Sequence, residues 1–132
     1  RLCGAAAGNP VICDFGNGTT FEELFEDMDT MVLVLDPMPS KLLGAEALFD
    51  RLRNMKFRGH DVIFVVNKEN DGINRKELRD FLGCAADFTI PMLDAAEFYR
   101  AEYNCEIPAA RKALRERTEA MFLELLSRVL TR

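Results

Sequence analysis

The chain has 132 residues, 48% of them hydrophobic, enough for one compact domain that buries about two-thirds of its unfolded surface. Its formal net charge of -5 argues against a general nucleic-acid-binding face. No apolar run approaches the roughly 18 residues needed to cross a bilayer, and Arg1-Leu2-Cys3-Gly4-Ala5 has no signal-peptide core, so a soluble, cytosolic protein is expected.

The charge is unevenly spread. Residues 1–106 hold 11 Lys and Arg against 19 Asp and Glu, a balance of -8, whereas residues 107–132 hold 6 against 3, a balance of +3. A basic terminal helix on an acidic body is expected to dock against that body. The four cysteines, Cys3, Cys13, Cys84 and Cys105, form no Cys-x-x-Cys pair and read as reduced thiols. The opening stretch, Arg1 to Asn9, is small and irregular and begins without Met, which suggests a piece of something longer.

Val11-Ile12-Cys13-Asp14-Phe15 is the first apolar run. It predicts a buried strand that delivers an Asp to the glycine loop Gly16-Asn17-Gly18. Thr20 can cap a short acidic helix with Phe21, Leu24, Phe25 and Met28 along one side, and the acids from Glu22 to Asp29 form its solvated face. Met31-Val32-Leu33-Val34-Leu35 is continuously apolar, the pattern of a strand covered on both faces, and ends at Asp36 and Pro37. Ser40 then caps a helix to about Lys56, with Leu42, Leu43, Leu48, Leu52 and Met55 at helical spacing.

Asp61-Val62-Ile63-Phe64-Val65-Val66 predicts the next strand, ending at Asn67-Lys68. A helix from about Asn74 to Leu82 follows and is closed by Gly83. Phe88-Thr89-Ile90 before Pro91 reads as a fourth, short strand. Asp94 caps a helix to about Tyr103, and Pro108 opens a long last helix whose stripe of Ala113, Leu114, Met121, Phe122, Leu125, Leu126 and Val129 reads as core rather than as a membrane-binding face. Strict alternation of strand and helix gives an α/β, three-layer fold: one mostly parallel sheet of about four strands covered by helices. In such sheets ligands bind beyond the carboxyl ends of the strands, here at Asp14, Asp36, Asn67-Lys68 and Pro91-Met92.

A strand-end Asp followed by a glycine loop is what a magnesium nucleotide site needs, a carboxylate for the metal's water shell and a backbone able to approach phosphate; the plain alternative is an Asp that caps its own turn. Asp14-Phe15-Gly16 also spells the metal-binding triplet of protein kinases, but no other kinase motif accompanies it. An Asn amide can read a purine edge, and the stem of Lys68 can cover the base. The guanine-reading acid of an Asn-Lys-x-Asp motif is replaced by Asn70, which gives no support to guanine specificity. His60 stands alone in a turn-like Gly-His-Asp, so neither catalysis nor zinc is expected of it. A phospho-receiver domain would need an Asp, not Asn67-Lys68, after its third strand.

In this order the segments resemble the second half of MinD/ParA-type deviant-Walker P-loop ATPases, including their pilus-positioning members, over about residues 10 to 130. The Val11-to-Gly18 stretch is similar to that group's Walker B and switch segment, and Val32-to-Pro37 to its next core strand. Val65-Val66-Asn67-Lys68 resembles the adenine-side strand end, and Ile90-Pro91 the loop over the base. The resemblance implies a Rossmann-like P-loop fold in which Asp14 organises Mg²⁺ through water and Gly16 approaches the γ-phosphate. It further implies that Asn67 and Lys68 contact adenine while Pro91 and Met92 line the base pocket. ATP, Mg²⁺, a homodimer and protein partners belong to the parent by the same resemblance, with no nucleic acid.

The departure is the phosphate loop. Neither Gly-x-x-x-x-Gly-Lys-[Ser/Thr] nor its Lys-Gly-Gly variant occurs in the 132 residues, so the chain alone is expected to be inactive. In that group the phosphate-loop strand lies between the strands corresponding to 11–15 and 31–35. Another chain or a removed N-terminal half would supply it, or the flanking strands would close up. The alternative function is a degenerate, non-hydrolytic protein-interaction domain.

Overall fold

The computed structural model describes residues 11–16 and 22–130. Three strands, β1 (Met31–Leu35), β2 (Val62–Glu69) and β3 (Phe88–Pro91), form a parallel sheet in the order β1-β2-β3. The crossovers are α1 (Pro39–Phe57) and α2 (Arg75–Leu82); α3 (Ala95–Tyr103), a 3₁₀ turn at Pro108–Ala110 and α4 (Lys112–Leu130) follow β3. The class is α/β, with a parallel sheet flanked by helices.

Alternate residues of each strand serve different layers. Met31 and Leu35 of β1 and Val62, Phe64 and Val66 of β2 join Leu42, Phe49, Leu52 and Met55 of α1 and Leu82 of α2 in the main core. Phe49 is the hinge of that packing, its ring 5.0 Å from Phe64 and 5.6 Å from Phe81. Ile63 and Val65, on the opposite face of β2, are also fully buried, and α4 runs along β3. Five consecutive buried residues in β2 explain its continuous apolar run, which marks a central strand covered on both sides.

β1 has the same composition but not the same surroundings. Met31 pairs with Val62 and Leu35 with Val66, leaving β1 at the edge of the sheet among the described residues. Val32 and Val34, beside the buried Ile63 and Val65, stay 42% and 54% exposed, so β1 is covered on one face only.

Val11–Phe15 forms no strand, and three described strands stand where about four were expected. Ile12 is 91% exposed, and Phe15 packs edge to face with Phe25 at 5.7 Å. An extended segment becomes a strand only when a neighbour accepts its hydrogen bonds. The two apolar runs therefore do not close up on each other: Val11–Phe15 forms no strand, and β1 is an edge strand among the described residues.

The helix ends are mostly where their caps put them. Asn74 accepts Glu77 N–H at 3.3 Å, Asp94 accepts Ala96 N–H at 2.9 Å, and Gly83 closes α2 at φ 66°. α1 differs, because Pro39 occupies its first turn and Met38 its N-cap, while Asp36 Oδ1 accepts Met38 N–H at 3.1 Å; Ser40 is not the cap. The acidic segment is a 3₁₀ helix, Glu22–Asp27, that buries Phe25; its expected cap, Thr20, lies outside the described residues.

α4 begins at Lys112, after the separate 3₁₀ turn that Pro108 opens. Its expected core stripe is split. Leu114 and Thr118 are buried and Met121, Leu125 and Val129 partly so, but Ala113, Phe122 and Leu126 are exposed. Among the described residues no helix is long and apolar enough to cross a membrane.

Candidate functional site

The carboxyl end of the sheet opens into a cavity of about 720 Å³. The turn after β1 brings Asp36 and Met38, the end of β2 brings Lys68 and Asn70, and β3 leads to Met92. Its walls are the opening of α1 and one face of α2, with Leu42, Leu78 and Phe81 as floor. That is a size suited to a small organic ligand, apolar with a few convergent polar groups.

Polar order at the mouth is set by β2. Pairing with β3 is regular at Val65 and Val66, then shifts so that Glu69 meets Pro91. Lys68, at φ 60°, takes up that irregularity in a left-handed conformation rare for a residue with a side chain. The twist turns its ammonium to Asp36 Oδ2 at 2.7 Å. Asn67 Oδ1 accepts Lys68 N–H at 2.9 Å, Asn70 Nδ2 donates to Lys68 C=O at 2.8 Å, and Asn70 Oδ1 accepts Gly72 N–H at 2.9 Å. The hydrogen bonds from Lys68 and from Met38 N–H hold the Asp36 carboxyl below its usual range, so it is a fixed anion at neutral pH.

The residues singled out from sequence fall into two groups. Lys68 and Met92 line the cavity. Asn67 precedes Lys68 with its amide turned to the backbone, and Pro91 sits in β3 opposite Glu69, whose C=O accepts Met92 N–H at 2.8 Å. The Asn67-Lys68 and Pro91-Met92 stretches are thus side by side. Asp14 and Gly16 do not line the cavity. Asp14 is exposed and its Oδ1 accepts Gly16 N–H at 2.9 Å, a local turn closed by the left-handed Gly16 at φ 56°. Among the described residues no group of three or more His, Cys, Asp or Glu side chains is placed to hold a metal ion.

Asn70, Asn74, Glu77, Leu42 and Phe81 also line the cavity, and the sequence singled out none of them as a site. The signal was present only indirectly: strand ends locate the mouth, but which helix faces wall it depends on how the crossovers pack.

A second polar cluster lies elsewhere in the fold. Asp87 accepts hydrogen bonds from Lys56 Nζ at 2.7 Å, Phe64 N–H at 2.8 Å and Arg128 Nη1 at 2.9 Å. Burial pushes its carboxyl up, but these three donors outweigh burial and hold it below the usual range. Arg128 of α4 also approaches Asp61 at 3.8 Å, and Asp61 accepts the Thr30 hydroxyl at 2.9 Å. α1, β2, β3 and α4 are tied together through one carboxylate, an arrangement that stabilises rather than catalyses.

No protein-family model, curated protein or solved structure matches the chain. The functional argument therefore rests on the geometry of the carboxyl edge.

Proposed function

We propose that this chain is the Walker B and adenine-side part of a MinD/ParA-like ATPase domain, whose parent binds ATP and Mg²⁺, dimerises with nucleotide and positions a cellular assembly in the cytosol. What supports it most is the juxtaposition of Asn67-Lys68 with Pro91-Met92 beside the cavity, since these are the stretches the resemblance assigns to the base. Asp14 and Gly16 would serve Mg²⁺ and phosphate only with a phosphate loop, which the 132 residues lack. The chain alone then offers a base pocket without phosphate binding and does not hydrolyse ATP.

An NMR titration tests this. Adenosine and MgATP should perturb the amides of Lys68, Asn70 and Met92 with similar, weak affinity, and Met92→Ala should weaken both. Hydrolysis that depends on Asp14, or shifts confined to other surfaces, would overturn the proposal.

A second reading, a non-hydrolytic protein-interaction domain, is favoured by one observation: among the described residues β1 is an edge strand with exposed valines.

A further inference from the structure

The backbone of β1 has a defined outward side. Met31 N–H donates to Asp61 C=O at 2.9 Å, so Met31 faces β2, and by the alternation of a parallel ladder so do Leu33 and Leu35. The N–H and C=O of Val32 and Val34 then point away from the sheet, at an edge without a described neighbour. The strand is Met-Val-Leu-Val-Leu, without the lysine, proline or bulge that commonly protects an exposed edge. Its outward residues also present half-exposed valine side chains beside the buried Ile63 and Val65.

Charge selects the occupant. Glu23, Asp27 and Asp29, leading into β1, are exposed and make no ion pair among the described residues, whereas Glu26 already faces Arg58 and His60. At the other end of the strand Asp36 is already paired with Lys68 Nζ at 2.7 Å. A strand with a cationic end beside Asp27 and Asp29 meets opposite charge there.

We propose that the β1 edge accepts an added strand from a protein partner: an extended segment of alternating small apolar side chains flanked by Lys or Arg. Its main chain bonds to Val32 and Val34, its apolar face continues that of Ile63 and Val65, and its cations meet Asp27 and Asp29. This rests on the protein-interaction reading and is independent of base binding, which is read at Lys68 and Met92.

The test is amide hydrogen exchange of the full 132-residue chain with a synthetic peptide, Lys-Lys-Val-Thr-Val-Thr-Val-Lys-Lys. The Val32 and Val34 amides should exchange rapidly in the free chain and at least about tenfold more slowly with the peptide bound. Val34→Pro removes one outward N–H and none toward β2, and should abolish the protection. If that variant fails to fold, the surface pair Asp27→Lys with Asp29→Lys carries the test: it should weaken binding about tenfold, and a Glu-flanked peptide should bind no better. Protection of Val32 and Val34 in the free chain would overturn the proposal, whether sedimentation showed a dimer through this edge or a monomer that covers it. Failure to bind, or binding indifferent to Val34→Pro and to the charge reversals, would overturn it equally.

Discussion

Asp87 joins three segments of the molecule, because donors from α1, β2 and α4 converge on its two oxygens. Replacing it with Asn keeps the shape but removes the charge that Lys56 and Arg128 face, and should cost roughly 2 kcal/mol at pH 7. The sign of the pH dependence follows from its lowered carboxyl. A carboxylate held below its unfolded value stabilises the fold above about pH 4, and that contribution disappears as the pH falls through the folded value. The stability gap between wild type and Asp87→Asn should therefore be full at neutral pH and shrink below about pH 4, measured by urea denaturation across that range. The sequence shows Asp87 only as an acid before a strand. That it meets Lys56 and Arg128, 31 and 41 positions away, depends on long-range packing.

At the scale of elements, α2 tests how far local signals reach. It has only eight residues and one buried side chain, Leu82, so its ends matter more than its interior. Asn74→Ala removes the acceptor for Glu77 N–H and should destabilise by about 1 kcal/mol. Gly83→Ala puts a Cβ at φ 66°, 3.3 Å from the Arg53 guanidinium, and should cost about 1 kcal/mol or slightly more. Both can be read from thermal unfolding, and an unchanged midpoint would mean that the cap contributes nothing. The sequence shows Gly83 as the C-cap and a helix beginning at about Asn74, which the structure makes its N-cap, because both ends are decided by neighbouring residues. The start of α1 was less legible: Ser40 looked like the cap, but Pro39 fits the first turn and Asp36 meets the chain one residue earlier.

Over the whole molecule, stability is concentrated on the α1 and α2 side of the sheet. Phe49 touches both Phe64 and Phe81 and is almost wholly buried, so Phe49→Ala should cost about 3–5 kcal/mol, enough to unfold a domain of this size partly or fully at 37 °C. Phe122→Ala, on the exposed side of α4, should change stability by less than about 0.5 kcal/mol. Calorimetry on the two variants would measure that asymmetry. A comparable loss at both positions would mean that the flank of α4 is covered in solution.

The sequence alone determined what is local: the alternation of strands and helices from β1 to α4, the caps at Gly83 and Asp94, and the strand ends that meet at the cavity. These follow from periodicity and backbone chemistry within a few residues. The tertiary structure decided the rest. Val11–Phe15 and β1 are apolar runs like β2, yet one forms no strand and the other is an edge among the described residues, because a strand is completed by the neighbour that hydrogen-bonds to it. Of the stripe on α4, Leu114 is buried, Met121, Leu125 and Val129 are partly buried, and Ala113, Phe122 and Leu126 are surface, because burial depends on what packs beneath the helix. The cavity's walls and the inward turn of Arg128 likewise arise where distant segments meet.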